Sequence, residues 1–353
     1  MSEVSQSTQK LIQRYQSWKE SLRRKEGIST IHVDEVASKV AAFYEKIRGI
    51  VDWREEHLMK RGAIERNLKR RLLISKEGKA ITEPLILELI RGGHFPNDQI
   101  EESKIGEVEK ILNKYIYILD KSPDSHSEKI KLQLYNWILG IAACEIEETL
   151  SSSSRERALI DYMMESMKEK IKIKEGVVVL GGINEEIKNT QIYIAIHRAL
   201  FKLDAPIISY HLLKRRYPQW HDLPASELQE ISLNIYLIWE SLERDLKHPL
   251  TDKLYNVCER YDTPYLLLGD ILSEENPDEF YQKFSKPEVL EELIRRAYSK
   301  RLSTLKHRLT RAAILSTLSI FLTNSFSLVV LEIPLARLIM GTFLPLTIAV
   351  DIL

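Results

Sequence analysis

The sequence predicts an all-α protein: a multi-helix cytoplasmic region with one long N-terminal helix, followed by a C-terminal transmembrane helix or helical hairpin. Three observations predict it. Glycine and proline are sparse, 13 and 12 in 353 residues, whereas strand-rich folds need frequent turns. Helix-start signals recur along the chain. From Ala312 to Leu331 the sequence carries no charged side chain.

The elements follow in chain order. Residues 1–28 are polar with helical spacing and lack the apolar run and cleavage site of a signal peptide. Residues 29–175 form a first helical domain. Within it, 33–74 contains no proline and is expected to be one helix about 60 Å long. Val33, Val36, Val40, Phe43, Ile47 and Ile50 make its apolar stripe. The stripe fades after Trp53, and a coiled coil there remains an open alternative.

Thr82-Glu83-Pro84, Asp204-Ala205-Pro206 and Thr263-Pro264 read as helix starts, a cap residue with an early proline. Ser125 with Glu128, Ser153 with Glu156, and Ser285 with Glu288 have capping-box spacing, in which the two side chains satisfy the free N–H groups of the first turn. Val177 to Leu180, between Gly176 and Gly181-Gly182, is the one extended candidate. Residues 176–182 are therefore read as a linker, and 183–311 as a second helical domain with a basic end.

The tail is 312–353. As a helix, Ala312 to Leu331 would cover about 30 Å, the thickness of a bilayer core. Glu332, Pro334 and Arg337 suit a turn at the far interface. The run from Leu338 covers only about 24 Å to the chain end, so it is either re-entrant or the start of a span cut short. A second crossing would bring Asp351 into the bilayer or to its far interface, and an intramembrane carboxylate is a candidate site. Arg295, Arg296, Lys300, Arg301, Lys306, Arg308 and Arg311 precede the first span, which places the N-terminal region in the cytoplasm of a cell-membrane protein. Lys300, Arg301, Lys306, Arg308 and Arg311 are also candidate contacts to anionic lipid headgroups.

Lys+Arg and Asp+Glu balance at 51 each, so net charge implies no acidic or basic partner. Cys144 and Cys258 are expected to be buried core thiols rather than a disulfide framework. The basic block from Lys60 to Arg71 has no nucleic-acid module beside it, and nucleic acid is not an expected partner.

His211, Arg215 and Arg216, with Tyr217 and Trp220 nearby, could grip a phosphate or headgroup; the bland reading is an ordinary helix end. His221-Asp222 matches the His-Asp pair of helical phosphohydrolases in two residues only. His197 or His211 and Asp245 or Asp252 could fill the outer ligand roles, but Leu223-Pro224 places the pair in a loop. The acids near His57 lack the spacing of a di-iron bundle and are expected to pair with Arg54, Lys60 and Arg61. Glu145, Glu147 and Glu148 read as a solvated face with no histidine nearby. No Gly-rich phosphate loop or zinc-protease motif occurs. No metal, cofactor or catalytic residue is therefore assigned.

The runs DWREEHLMKRGAIERNLKRRL from Asp52, LFKLDAPIISYHLLKRRYPQW from Leu200 and LARLIMGTFLPLTIAVDIL from Leu335 resemble an uncharacterised family of bacterial helical membrane proteins. The resemblance implies a longer parent protein and carries no activity. The expected function is a membrane-anchored helical scaffold or interaction protein, with the bilayer, a protein partner or a second copy of the chain as partners. Two alternatives stay open: an enzyme acting on a phosphate-bearing or lipid substrate at the membrane, and a component of a transporter or channel.

Overall fold

The computed structural model describes residues 5–21, 27–33, 53–151, 154–172, 184–275 and 286–327, with single positions at 279, 283 and 330. The chain divides into two compact units, Met1–Asp278 and Glu279–Leu353.

The described residues are mostly helical, consistent with an all-α fold. In the first unit the helices are α1 (Gln6–Ser21), α2 (Trp53–Leu72), α3 (Gly78–Arg91), α4 (Ser103–Lys121), α5 (Glu128–Leu150), α6 (Ser154–Lys170), α7 (Glu185–Phe201), α8 (Ala205–Arg216), α9 (Ala225–Leu233), α10 (Ile235–Leu246), α11 (Leu250–Arg260) and α12 (Asp262–Glu274). A 3-10 turn, Trp220–Asp222, lies between α8 and α9. The second unit is described mainly by α13 (Pro287–Ser327).

α5 is the axis of the bundle. It packs against α2, α4 and α8. Every residue from Trp137 to Glu147 is buried, and a helix apolar on all sides must lie inside a protein. Gly140 allows one of these contacts. A Cβ there would stand 3.2 Å from Cβ of Pro206, so α8 can come this close only because the side chain is absent. Further along the chain, α7 packs on α11 and α6, and α1 closes over α6 and α12. Cys144 and Cys258 are buried and free.

Several local expectations are corrected. Val33 is not helical. Residues 29–33 run antiparallel beside 97–102, with Ile31 N–H donating to Ile100 O (2.9 Å) and Val33 N–H to Asn97 Oδ1 (2.9 Å). The long helix is thus described only as α2, and the stripe from Val36 to Ile50 falls outside the described residues. The helix expected at Thr82 starts at Gly78, because the Gly78 N–H finds Asn113 Oδ1 (3.2 Å). Pro84 lies inside α3, where it removes one ladder bond, and Thr82 Oγ1 donates back to Gly78 O (2.8 Å). The Ser125 capping box does not form. α5 starts one residue after Ser127, so Glu128 sits in the first turn and accepts from Lys131 (3.0 Å). Asp204 does precede α8, with proline in the first turn, but its carboxylate accepts from Arg61 rather than capping.

Within α13, Ile314, Leu315, Leu318, Ile320, Phe321, Leu322 and Phe326 are all exposed. Among the described residues, no helix is long and apolar enough to cross a membrane. α13 is described only to Ser327, and Ser316, Thr317, Ser319, Thr323 and Asn324 dilute its apolar end. The linker 176–182, the turn at 332–337, the run from Leu338 and Asp351 lie outside the described residues.

Candidate functional site

The chemistry of the first unit gathers around α5. Glu145 is 1% exposed and Glu147 6%; the expectation of a solvated acidic face is overturned. At 100° per residue, positions 145, 147 and 148 point in different directions from one helix, and each carboxylate meets a different neighbour.

Glu145 faces α4 and the 3-10 turn. Lys114 Nζ donates to both its oxygens (2.7 and 2.8 Å) and to Trp220 O (2.7 Å). Tyr115 OH donates to Glu145 Oε2 (2.6 Å) and accepts from the Trp220 indole N–H (3.0 Å). His221 Nδ1 is 3.1 Å from Glu145 Oε1. All three ammonium protons of Lys114 thus have acceptors, as a buried cation requires. Burial pulls the Lys114 ammonium below the usual lysine range, against the opposing pull of Glu145. Burial, with Glu145 behind it, pushes the Tyr115 phenol well up. The bond to Glu145 raises the half-exposed His221.

Glu147 faces α2, where His57 Nδ1 meets its carboxylate in a buried pair. Nearby, Arg61 joins α2 to Asp204 at the start of α8. Glu148 faces α8 and α6. It accepts from Tyr210 OH (2.6 Å) and Lys214 Nζ (3.0 and 2.9 Å) and pairs with Arg157. Burial alone would raise the Glu148 carboxyl, but Arg157, Lys214 and Tyr210 together outweigh it and hold it low.

A histidine pair lies beside this network, between α7 and α8. The Tyr193 carbonyl accepts from His197 Nδ1 (2.8 Å), and His197 Nε2 is 2.8 Å from His211 Nδ1. A carbonyl can only accept, so His197 Nδ1 carries the proton. Neutral His197 then presents a lone pair at Nε2, and His211 Nδ1–H donates to it. Burial pulls His197 down to about 4. Burial, His197 and the cations Lys214 and Arg157 pull His211 well below the ordinary value.

The residues expected to grip a phosphate do not converge. His211 is buried against His197; Arg215 lies 5.1 Å over the Tyr193 ring; Arg216 donates to Asp245 (3.3 Å). His221-Asp222 forms the end of the 3-10 turn, and His221 goes to Glu145 instead of a ligand cluster. Among the described residues no three His, Cys, Asp or Glu side chains are grouped to hold a metal ion. An open groove of about 350 Å³ between α1 and α6, lined by Arg14, Asp161 and Tyr162 among others, includes no member of the α5 network. Lys300, Arg301, Lys306, Arg308 and Arg311 stand on α13, all exposed except half-buried Arg308.

One signal for the buried acids was present in the sequence. The apolar run from Trp137 to Cys144 leads straight into Glu145 with no turn, so the axis that buries the first must carry the second. Their partners, Lys114, His57, Tyr210 and Lys214, come from three other helices and have no local signature. No protein family, curated protein or solved structure matches this chain.

Proposed function

We propose that the chain is a membrane-anchored helical scaffold, in which the bundle is a rigid body and the end of α13 belongs to the anchor. The observation that carries this is the exposure of seven large apolar side chains between Ile314 and Phe326, from 49% to 69%. An apolar surface of that extent marks a contact with lipid or protein. The cationic run from Arg295 to Arg311 directly before it favours lipid, with the bundle on the cytoplasmic side. The uncharged sequence continues to Leu331.

The α5 network supports a scaffold over a catalyst. Its carboxylates, amines and phenols are satisfied by one another, which fixes helix positions, and they do not line the groove beside α1. Fractionation tests the anchor. Full-length protein is expected to stay in the membrane pellet through a high-salt wash and to leave it in detergent. The triple substitution Ile314→Ser, Leu318→Ser and Phe321→Ser should shift it to the supernatant. Full-length protein remaining in the supernatant without detergent would sink this reading.

A further inference from the structure

Helix packing divides the first unit into two groups. α2, α3, α4, α5, α8 and α9 pack on one another, and so do α1, α6, α7, α10, α11 and α12. From one group to the other, helix packing runs through α10, which touches α8 and α9. Side chains bridge the rest of the seam, and most are polar or charged. His197 on α7 meets His211 on α8 (2.8 Å), Arg215 lies over Tyr193 (5.1 Å), Arg157 pairs with Glu148, and Arg216 donates to Asp245 (3.3 Å). Trp137 and Trp239 add an aromatic contact, with ring centroids 6.5 Å apart. Short connections between α7 and α8 and between α9 and α10 tether the groups.

The histidine pair is buried in this seam. The Tyr193 carbonyl takes the His197 Nδ1 proton, and His211 Nδ1–H donates to His197 Nε2, so one lone pair is left, at His211 Nε2. A first proton there makes a buried cation. A second, on His197 Nε2, removes the acceptor and sets N–H against N–H. Around the pair stand His57 on α2, Glu148 on α5, Arg157 and Asp161 on α6, Tyr193 on α7, and Lys214 and Arg215 on α8. Asp161 is matched by Arg14, and Glu148 by Arg157 and Lys214. Added protons therefore go uncompensated while the seam stays closed, and water relieves them once it opens.

We propose that the His197–His211 pair is an acid-operated latch between the two groups. Neutral, it holds α7 on α8; protonated, it releases α7 and the helices packed on it from α8 and α5, with every helix kept. The pivot is Arg157–Glu148, which persists because, against burial, Arg157, Lys214 and Tyr210 hold the Glu148 carboxyl low. Burial raises the Asp245 carboxyl, which takes its proton more readily in the closed seam and opposes opening, one group against two rings. Burial makes both closed rings poor bases, whereas opened rings take up protons near 6.5. Below that value each ring favours opening about tenfold more per pH unit, and from pH 7 to 5 the pair supplies on the order of a thousandfold. The latch goes beyond the scaffold reading, and the anchor plays no part in it.

The test uses the full chain in detergent micelles, with nitroxide labels placed through Lys110→Cys on α4 and Asn256→Cys on α11. Both positions are exposed, and Cys144 and Cys258 are buried. Pulsed electron spin resonance reads the separation at pH 7 and 5. A single distance is expected at pH 7 and a second, longer one at pH 5, with an unchanged circular dichroism spectrum. His211→Asn keeps a donor towards His197 and takes up no proton, so the change in the open-to-closed ratio should drop to on the order of thirtyfold. With His197→Gln added, the ratio should not respond to pH. Should these variants fail to fold, nitrogen NMR of the histidine-labelled parent decides: protonation of the two rings should track the longer distance. A separation unchanged down to pH 4.5 overturns the latch, and so does ring protonation without widening. Widening in the double variant equal to the parent's overturns it, as does widening that comes with loss of helical signal, which means that the whole bundle melts. Loss of membrane pelleting with the acid response retained would remove the anchor reading alone.

Discussion

The two units handle their difficult residues in opposite ways. The bundle takes charge inside: Glu145, Glu147 and Lys114 are all under 9% exposed. α13 leaves apolar groups outside, with Phe326 69% exposed. Residue type explains neither. Glutamate goes inside where lysine, tyrosine and histidine from other helices satisfy it, and leucine stays outside where no neighbour covers it. Burial is decided by available partners, so interference with partners separates the two regions.

The largest effect is expected at the centre of the bundle. Glu145→Ala leaves the buried Lys114 uncompensated and removes the acceptor of Tyr115, at a cost of about 3–5 kcal/mol. Urea unfolding followed by circular dichroism measures it. The double variant Lys114→Met, Glu145→Leu should recover a large part of the loss, because an apolar pair of similar volume removes the stranded charge. A double variant no better than the single would mean that the ion pair itself, and not its satisfaction, holds the bundle.

Acid comes next. His197 and His211 are neutral when folded, and unfolding frees them to protonate near 6.5. The unfolded chain therefore binds more protons below that value. The contribution of the pair is complete above about 6.5 and is lost as pH falls towards about 4, where folded His197 itself takes up a proton. For His197 alone this is on the order of 3 kcal/mol. Groups packed around the pair include Tyr193 on α7, Lys214 on α8, Arg157 and Asp161 on α6, and His57 on α2. The urea midpoint should fall through the upper part of this window, before ordinary carboxylates titrate. A midpoint flat from pH 7 to 5 would contradict the neutral pair.

A middle-sized effect is expected where two helices touch. Gly140→Ala places a methyl 3.2 Å from Cβ of Pro206 and pushes α5 from α8, costing about 1–3 kcal/mol. The thermal midpoint measures it. The smallest effect belongs to α13. Leu305→Ser and Ile314→Ser should each leave bundle stability within about 0.5 kcal/mol of the parent, since neither position is buried. A larger loss would erase the contrast between the units.

Much of the all-α class was legible because glycine and proline scarcity and apolar spacing are local properties. Asp204-Ala205-Pro206 marked the start of α8 correctly for the same reason. Thr82-Glu83-Pro84 misled because a distant side chain, Asn113, draws the helix start back to Gly78. The α5 site was not legible: its acids read as a solvated face, and they are buried. Four acidic or apolar residues in a row, Glu145 to Glu148, show no periodicity, and their fate depends on Lys114 and Lys214 across the fold. His211 was singled out for the wrong reason: a surface ligand was expected, and the ring is sealed against His197.

The separations within the α5 network bear on how the chain is made. Synthesis runs from the N-terminus, and domains begin to fold as they emerge. The partners of Glu148 on α8 lie 62 and 66 residues later, and His221 lies 76 residues after Glu145. The central helix therefore emerges after the partners of Glu145 on α4 and of Glu147 on α2, but before the partners that α8 supplies to Glu148. Residues 210 to 221 thus complete the surroundings of an axis whose other sides the earlier helices already supply.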